Sequence, residues 1–224
     1  MKGKLIVLEG IDGSGKSTQY KRICEKLENE GIAYSHIVFP RYEKSSSALI
    51  KSYLNGDFGS RPDDVNAYTA STFFAVDRFA SFKEDWGGLY NSGGLIFSDR
   101  YTTSNAVHQG CKLEDSKLND YFAWLEDLEY EKMKLPRPDL VIYLDVSLEI
   151  AKKRRAAREA RGISAADIHE KDEEYLSRCL RTADRACDFY GWHRVPFADP
   201  EGKERSLEEK NREIYSIIKS YLNG

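Results

Sequence analysis

The residues whose spacing carries the most chemistry are Gly10-Ile11-Asp12-Gly13-Ser14-Gly15-Lys16-Ser17, which fit G-x-x-x-x-G-K-[ST]. Glycines at this spacing accept positive φ and let backbone N–H groups close around phosphate oxygens. Lys16 can reach β- and γ-phosphates as a point charge, and the Ser17 hydroxyl can ligate Mg²⁺. The apolar run Leu5-Ile6-Val7-Leu8 before the motif reads as a buried strand, and Ile23 and Leu27 after it read as a helix. The motif therefore falls at a helix N-terminus, whose partial positive charge adds to the pocket. Its ligand is a nucleoside triphosphate.

Other residues with chemical potential fall at the ends of predicted strands: Glu9, Phe39-Pro40-Arg41, Asp99-Arg100 and Asp145. Asp99, after Leu95-Ile96-Phe97, can face Ser17 and hold Mg²⁺ directly or through water, while Arg100 can grip a phosphate with its planar fork. An internal salt bridge is the structural alternative for that pair. Asp145 also fits an ordinary helix start, with Ser147 as cap. Phe74 and Arg78, four apart on a helix, share a face suited to a nucleobase: a ring to stack on and a guanidinium to hydrogen-bond. Phe73, Val76 and Phe79 surround Phe74 in an apolar helix, where such a ring is more often core, and periodicity does not separate the two. Arg154, Arg158 and Arg161 share a helical face ahead of Gly162 and a segment, 162–169, with little apolar content. That pattern fits a solvated surface, or a flap that brings arginines to a triphosphate.

The elements that must position these groups alternate along the chain. Strands are expected near 5–9, 34–39, 95–99, 140–145 and 193–196, and helices over 17–30, 46–54, 63–84, 116–133, 148–160, 172–190 and 207–222. The last helix opens with the capping box Ser206-x-x-Glu209. Short, wholly apolar strands such as Leu140-Val141-Ile142-Tyr143-Leu144 suit a parallel sheet covered on both faces. The expectation is an α/β fold, a doubly wound five-stranded parallel sheet flanked by helices, with ligands at the carboxyl ends of the strands. A length of 224 residues suits a single domain over 1–224. A net charge of −3 argues against a protein that coats nucleic acid. No apolar run has the length of a membrane span, and the N-terminus lacks a secretory pattern. Cys24, Cys111, Cys179 and Cys187 lack C-x-x-C spacing, so reduced thiols in the cytoplasm are expected.

Taken in order, these motifs resemble the thymidylate kinases, P-loop nucleoside monophosphate kinases that transfer phosphate from ATP to dTMP. Glu9 through Thr18 looks like the family's P-loop, Phe39-Pro40-Arg41-Tyr42 like its signature after the second strand, and Asp99-Arg100-Tyr101 like its D-R-[YH] signature; Pro138-Asp139-Leu140 precedes the next strand as usual. The resemblance implies that Gly10, Ile11, Asp12, Gly13, Ser14, Gly15, Lys16, Ser17 and Thr18 hold the donor nucleotide, and that Ser17 and Asp99 hold Mg²⁺. It implies an acceptor site of Phe39, Arg41, Phe74, Arg78, Arg100, Ser104, Asn105, His108 and Glu170, in a region about 40–80 and beyond. Lys16, Arg41, Arg100, Asp12 and the lid arginines Arg154, Arg158 and Arg161, within a lid about 152–170, are the expected catalytic set. The implied partners are ATP and dTMP, with a homodimer common in the family.

Two departures bear on function. His108 and His169 stand where members often carry tyrosines near the deoxyribose, and Gly13 stands where one subgroup has an arginine, so the lid must supply that charge. The rivals are a P-loop kinase for another pyrimidine monophosphate or deoxynucleoside, and a P-loop regulator. A GTPase would need an N-K-x-D type motif, which the chain lacks, and an ATPase acting on nucleic acid usually has an acid pair where Asp99 is followed by Arg100.

Overall fold

The computed structural model describes residues 2–160, 169 and 173–223. Strands β1 (Lys4–Glu9), β2 (Tyr34–Val38), β3 (Leu95–Asp99), β4 (Leu140–Leu144) and β5 (His193–Val195) form one sheet in the order β2-β3-β1-β4-β5, parallel throughout. The central strand β1 explains its own composition. Leu5 and Val7 face one layer, packing with Ile96, Val141, Tyr101, Trp86 and Tyr90. Ile6 and Leu8 face the other, with Tyr20, Ile23, Leu27, Phe97, Ile214 and Ile218. A strand buried on both faces has no polar side to show. All five strands lie within a residue or so of their expected places.

The helices are α1 (Lys16–Asn29), α2 (Ala48–Asn55), α3 (Ala67–Ser81), α4 (Gly87–Asn91), α5 (Thr102–His108), α6 (Leu118–Glu126), α7 (Leu148–Glu159), α8 (Glu173–Tyr190) and α9 (Leu207–Asn223). The capping box of α9 forms as expected: Ser206 N–H donates to Glu209 Oε2 at 2.7 Å, and Glu209 N–H to Ser206 Oγ at 3.1 Å. The helix expected over 63–84 begins later, where Asn66 Oδ1 accepts the Thr69 N–H at 2.9 Å, and beyond Ser81 it widens into a π-helical turn over Phe82–Trp86. The helix expected over 116–133 likewise ends in a π-helical stretch, Asp127–Lys132. Helix α5 went unforeseen, because Thr102-Thr103-Ser104-Asn105 has poor helix propensity and is fixed by tertiary hydrogen bonds instead. Among the described residues no helix is long and apolar enough to cross a membrane.

The phosphate-binding motif spans the turn from β1 to α1, with Gly13 at φ 86° and Gly15 at φ 87°. Gly13 is required twice over. Its conformation is left-handed, and a Cβ there would lie 2.5 Å from the Ala151 carbonyl oxygen of α7. Gly13→Ala is expected to lower stability by at least about 2 kcal/mol, the left-handed penalty plus the clash with backbone. Urea unfolding would measure it; an unchanged midpoint would mean that loop and helix yield without cost.

Candidate active site

Two strand ends build the centre of the site. Parallel pairing sets Leu8 of β1 opposite Asp99 of β3, so Glu9 and Arg100 emerge side by side at the carboxyl edge. Lys16, the first residue of α1, is buried and places its Nζ on Asp99 Oδ1. Burial and the nearby Arg100 charge lower the Lys16 pKa, while Asp99 and Glu9 oppose that shift. Ser17 stands exposed in the same first turn.

Arg100 sits at φ 69°, a left-handed conformation rare outside glycine, and its N–H still bonds Leu8 O at 3.1 Å. This twist turns its guanidinium across the strand ends. Nη2 reaches Asp12 Oδ1 at 2.7 Å; Nη1 lies 3.3 Å from Glu9 Oε1, 3.2 Å from Ser104 Oγ and 3.1 Å from His108 Nε2. An arginine only donates, so His108 Nε2 must accept and the imidazole is neutral, with its proton on Nδ1 facing Cys179 Sγ at 3.7 Å. Burial together with the Arg100 charge lowers the His108 pKa to about 4. Burial pushes the Asp12 carboxyl up, but Arg100, His108 and Lys16 outweigh it and hold that group well below the usual carboxylate range. Glu9, wholly buried, accepts from Gly10 N–H, Thr103 Oγ1 and Ser104 Oγ at 2.8, 2.6 and 2.7 Å.

A cavity of about 170 Å³ opens beside Arg100 and gathers eight of the expected residues: Asp12, Phe39, Phe74, Arg78, Arg100, Ser104, Asn105 and His108. The Phe74 ring lines it, edge-on to Tyr53 with ring centroids 6.4 Å apart. His169 closes the same space, its ring parallel to His108 at 6.1 Å and its Nε2 2.7 Å from the Tyr53 hydroxyl. Arg78 also lines the cavity, yet its Nε and Nη2 are both taken by the carboxylate of Glu129, each at 2.6 Å.

Other expected residues stand apart. Arg41, after a cis Phe39–Pro40 peptide bond, directs its side chain to Asp77, Glu84 and Asp85 on and beyond α3, with Nη1 2.6 Å from Asp85 Oδ2. Arg154 lies against the loop and does not line the cavity. Its Nη1 donates toward the Gly13 and Ser14 carbonyls at 3.3 and 3.2 Å, and its guanidinium covers the Phe197 ring at 4.7 Å. Arg161, Glu170 and the Arg158 side chain lie outside the described residues.

Glu129, the buried partner of the cavity residue Arg78, is the site neighbour that sequence reasoning missed. It hides in the acidic run Glu126-Asp127-Leu128-Glu129, which reads as surface. A signal existed: Leu118, Phe122, Leu125 and Glu129 fall on one face at helical spacing, and the first three are core residues. An acid on an apolar face needs a buried partner.

Three comparisons bear on the assignment. The family model described as thymidylate kinase matches residues 8–203. A thymidylate kinase of Mycobacterium tuberculosis is 33% identical over 176 residues, covering 78% of this chain and 81% of that protein. The human thymidylate kinase is 32% identical over 158 residues, 69% of this chain and 66% of its own. In architecture, the chain resembles the solved thymidylate kinase of Candida albicans with a TM-score of 0.73 at 23% identity, covering 99% of this chain and 93% of that one.

The neutral His108 makes stability depend on pH. An unfolded histidine takes a proton near pH 6.5, whereas His108 in the fold does so only at about 4. Stability is therefore whole above pH 7 and falls as pH drops from 6.5 toward 4, by about 2 kcal/mol for this group between pH 7 and 5. Asp12, with its lowered pKa, contributes a loss only at still lower pH. His108→Gln is expected to reduce the pH 7 to 5 difference in denaturant-unfolding free energy by about that amount, while the buried His169, its pKa also lowered, keeps its own share. An equal loss in parent and variant would contradict it.

Proposed function

The chain belongs to the thymidylate kinase family and transfers the γ-phosphate of ATP to dTMP, giving dTDP on the way to dTTP; from that premise we propose how its residues divide the work. The motif from Gly10 through Thr18 holds ATP, and the cavity beside Arg100 holds dTMP. The observation that carries this reading is the adjacency of Asp99 and Arg100. One touches the P-loop lysine, and the next lines the cavity, so donor and acceptor phosphates meet over two consecutive residues.

Phosphoryl transfer of this kind asks for alignment and charge neutralisation more than for covalent chemistry. Phosphate oxygens replace Asp99 as the partner of Lys16, and Arg100 holds the acceptor phosphate while Glu9 and Asp12 hold Arg100. Phe74 stacks on the base, Arg78 and Asn105 meet its edge, and Phe39, Ser104, His108 and Glu170 complete the acceptor site. Arg41 begins in its carboxylate cluster and reaches a phosphate only by exchanging Glu84 and Asp85 for it.

Mg²⁺ fits the donor set as an ion that arrives on the triphosphate, since such ions keep waters and phosphate oxygens and take one or two protein ligands. Among the described residues no three His, Cys, Asp or Glu side chains gather to hold an ion unaided. Ser17 and Asp99 would hold it, and when bound it neutralises charge on the phosphate oxygens. The same proposal has the chain work as one domain in the cytoplasm, as a homodimer.

Two measurements test this reading. With Mg·ATP, ADP should form only when dTMP is present, and Arg100→Ala should lower kcat/KM for dTMP by about 10²–10³; dTMP-independent ADP release would sink the acceptor assignment. Arg154, bound to the loop carbonyls, is expected to act on donor binding. Its change to Ala should raise KM for ATP about tenfold with a smaller effect on kcat, leaving Arg158 and Arg161 to bring the charge to the transferred group. A kcat loss larger than the KM change would reverse that division.

A further inference from the structure

Resting on the reading that the cavity takes the base of dTMP, a further role emerges from what lies behind its wall. Glu129 is fully buried, and its two oxygens meet four donors. Oε2 accepts from Arg78 Nε at 2.6 Å and Thr102 Oγ1 at 2.8 Å. Oε1 accepts from Arg78 Nη2 at 2.6 Å and, more loosely, Asn105 Nδ2 at 3.4 Å. A fork-to-fork pair of this kind fixes the plane of the guanidinium. Arg78 keeps the second hydrogen of Nη2 and both of Nη1, which reaches the Tyr101 carbonyl only at 3.4 Å, as donors on a residue that lines the cavity.

The same carboxylate settles the Asn105 amide. Its nitrogen lies 3.1 Å from the Ser71 carbonyl as well as near Glu129, and both neighbours are acceptors. An amide oxygen in that position would face two other oxygens, so Nδ2 must be there and Oδ1 is left as an acceptor on a residue that lines the cavity. The cavity thus presents a fixed donor beside a fixed acceptor. A 4-oxo pyrimidine offers the complement, a carbonyl at C4 and an N–H at N3. A 4-amino pyrimidine offers the reverse at both positions.

We propose that Glu129 is a positioning residue for base selection: it holds Arg78 and Asn105 in the donor–acceptor order that admits a 4-oxo pyrimidine and rejects a 4-amino one. A site built from fixed polar groups discriminates well because the wrong ligand leaves those groups unpaired. Loosening them should cost selectivity before it costs phosphoryl transfer.

The test compares kcat/KM for dTMP and dCMP in the parent, Glu129→Gln and Glu129→Asp, with KM for ATP and thermal unfolding alongside. Glu129→Gln sets an amide N–H against the guanidinium, and Glu129→Asp withdraws the carboxylate by one methylene. The dTMP-to-dCMP ratio should fall at least about tenfold in Glu129→Gln, mainly through KM for dTMP, with KM for ATP within about twofold of the parent. Glu129→Asp should fall between the two. The ratio refers both substrates to the same folded molecules, so a lower Tm does not move it, and if Glu129→Gln is insoluble the Asp variant carries the test. Ratios equal to the parent's in the folded variants, with only Tm lowered, would make Glu129 structural and overturn the inference. A parent that fails to prefer dTMP would instead overturn the reading of the cavity beneath it.

Discussion

Everything at the carboxyl edge of the sheet depends on how one arginine is kept charged and still. Arg100 is held by Glu9 and Asp12 in a conformation that costs an L-residue about 1–2 kcal/mol. Burying a cation is expensive unless geometry and hydrogen bonds compensate. Here the compensation is built from consecutive positions on adjacent strands. Parallel register delivers Glu9 beside Arg100, and the glycine-rich turn after Glu9 returns Asp12 to the other side. The guanidinium is thus aimed before substrate arrives, and little reorganisation is left for the transfer step.

Helix α5 shows how far that constraint spreads. Its sequence would not make a helix alone, yet two buried carboxylates grip it from opposite sides. Thr103 and Ser104 donate to Glu9, while Thr102 and Asn105 donate to Glu129. One acid reaches the cavity through Arg100, and the other through Arg78. A seven-residue helix thereby ties the two arginines together, and its residues Ser104, Asn105 and His108 line the cavity between them.

The parts legible in the sequence were those governed by local rules. Apolar runs gave the strands, the glycine motif gave the phosphate loop, and residues such as Phe74 and Asn105 converge on one cavity as the family pattern implied. Residues whose meaning depends on a distant partner were harder to read. Phe74 was ambiguous between stacking and core, and its place on the cavity wall comes from the packing of α3 against Tyr53 of α2. Glu129 looked like surface because its partner Arg78 lies 51 residues earlier and nothing local announces the pair. Arg41 was expected in the acceptor site; the acids Glu84 and Asp85 that hold it sit on a π-helical turn that helical periodicity does not anticipate.

The contact between the P-loop and α7 accounts for which cation the loop has beside it. Backbone of Ala151 packs so closely on Gly13 that no side chain fits there, so this loop cannot carry a cation of its own at that position. The same approach brings α7 alongside the loop, and Arg154, one helical turn beyond Ala151, lands on the Gly13 and Ser14 carbonyls. Loss of a loop cation and arrival of a helix cation are therefore two consequences of a single close packing. Arg154 is steadied further by the Phe197 face and by Glu204 at 3.2 Å, which pull it toward the donor side. An arginine so tethered shapes the loop that receives ATP.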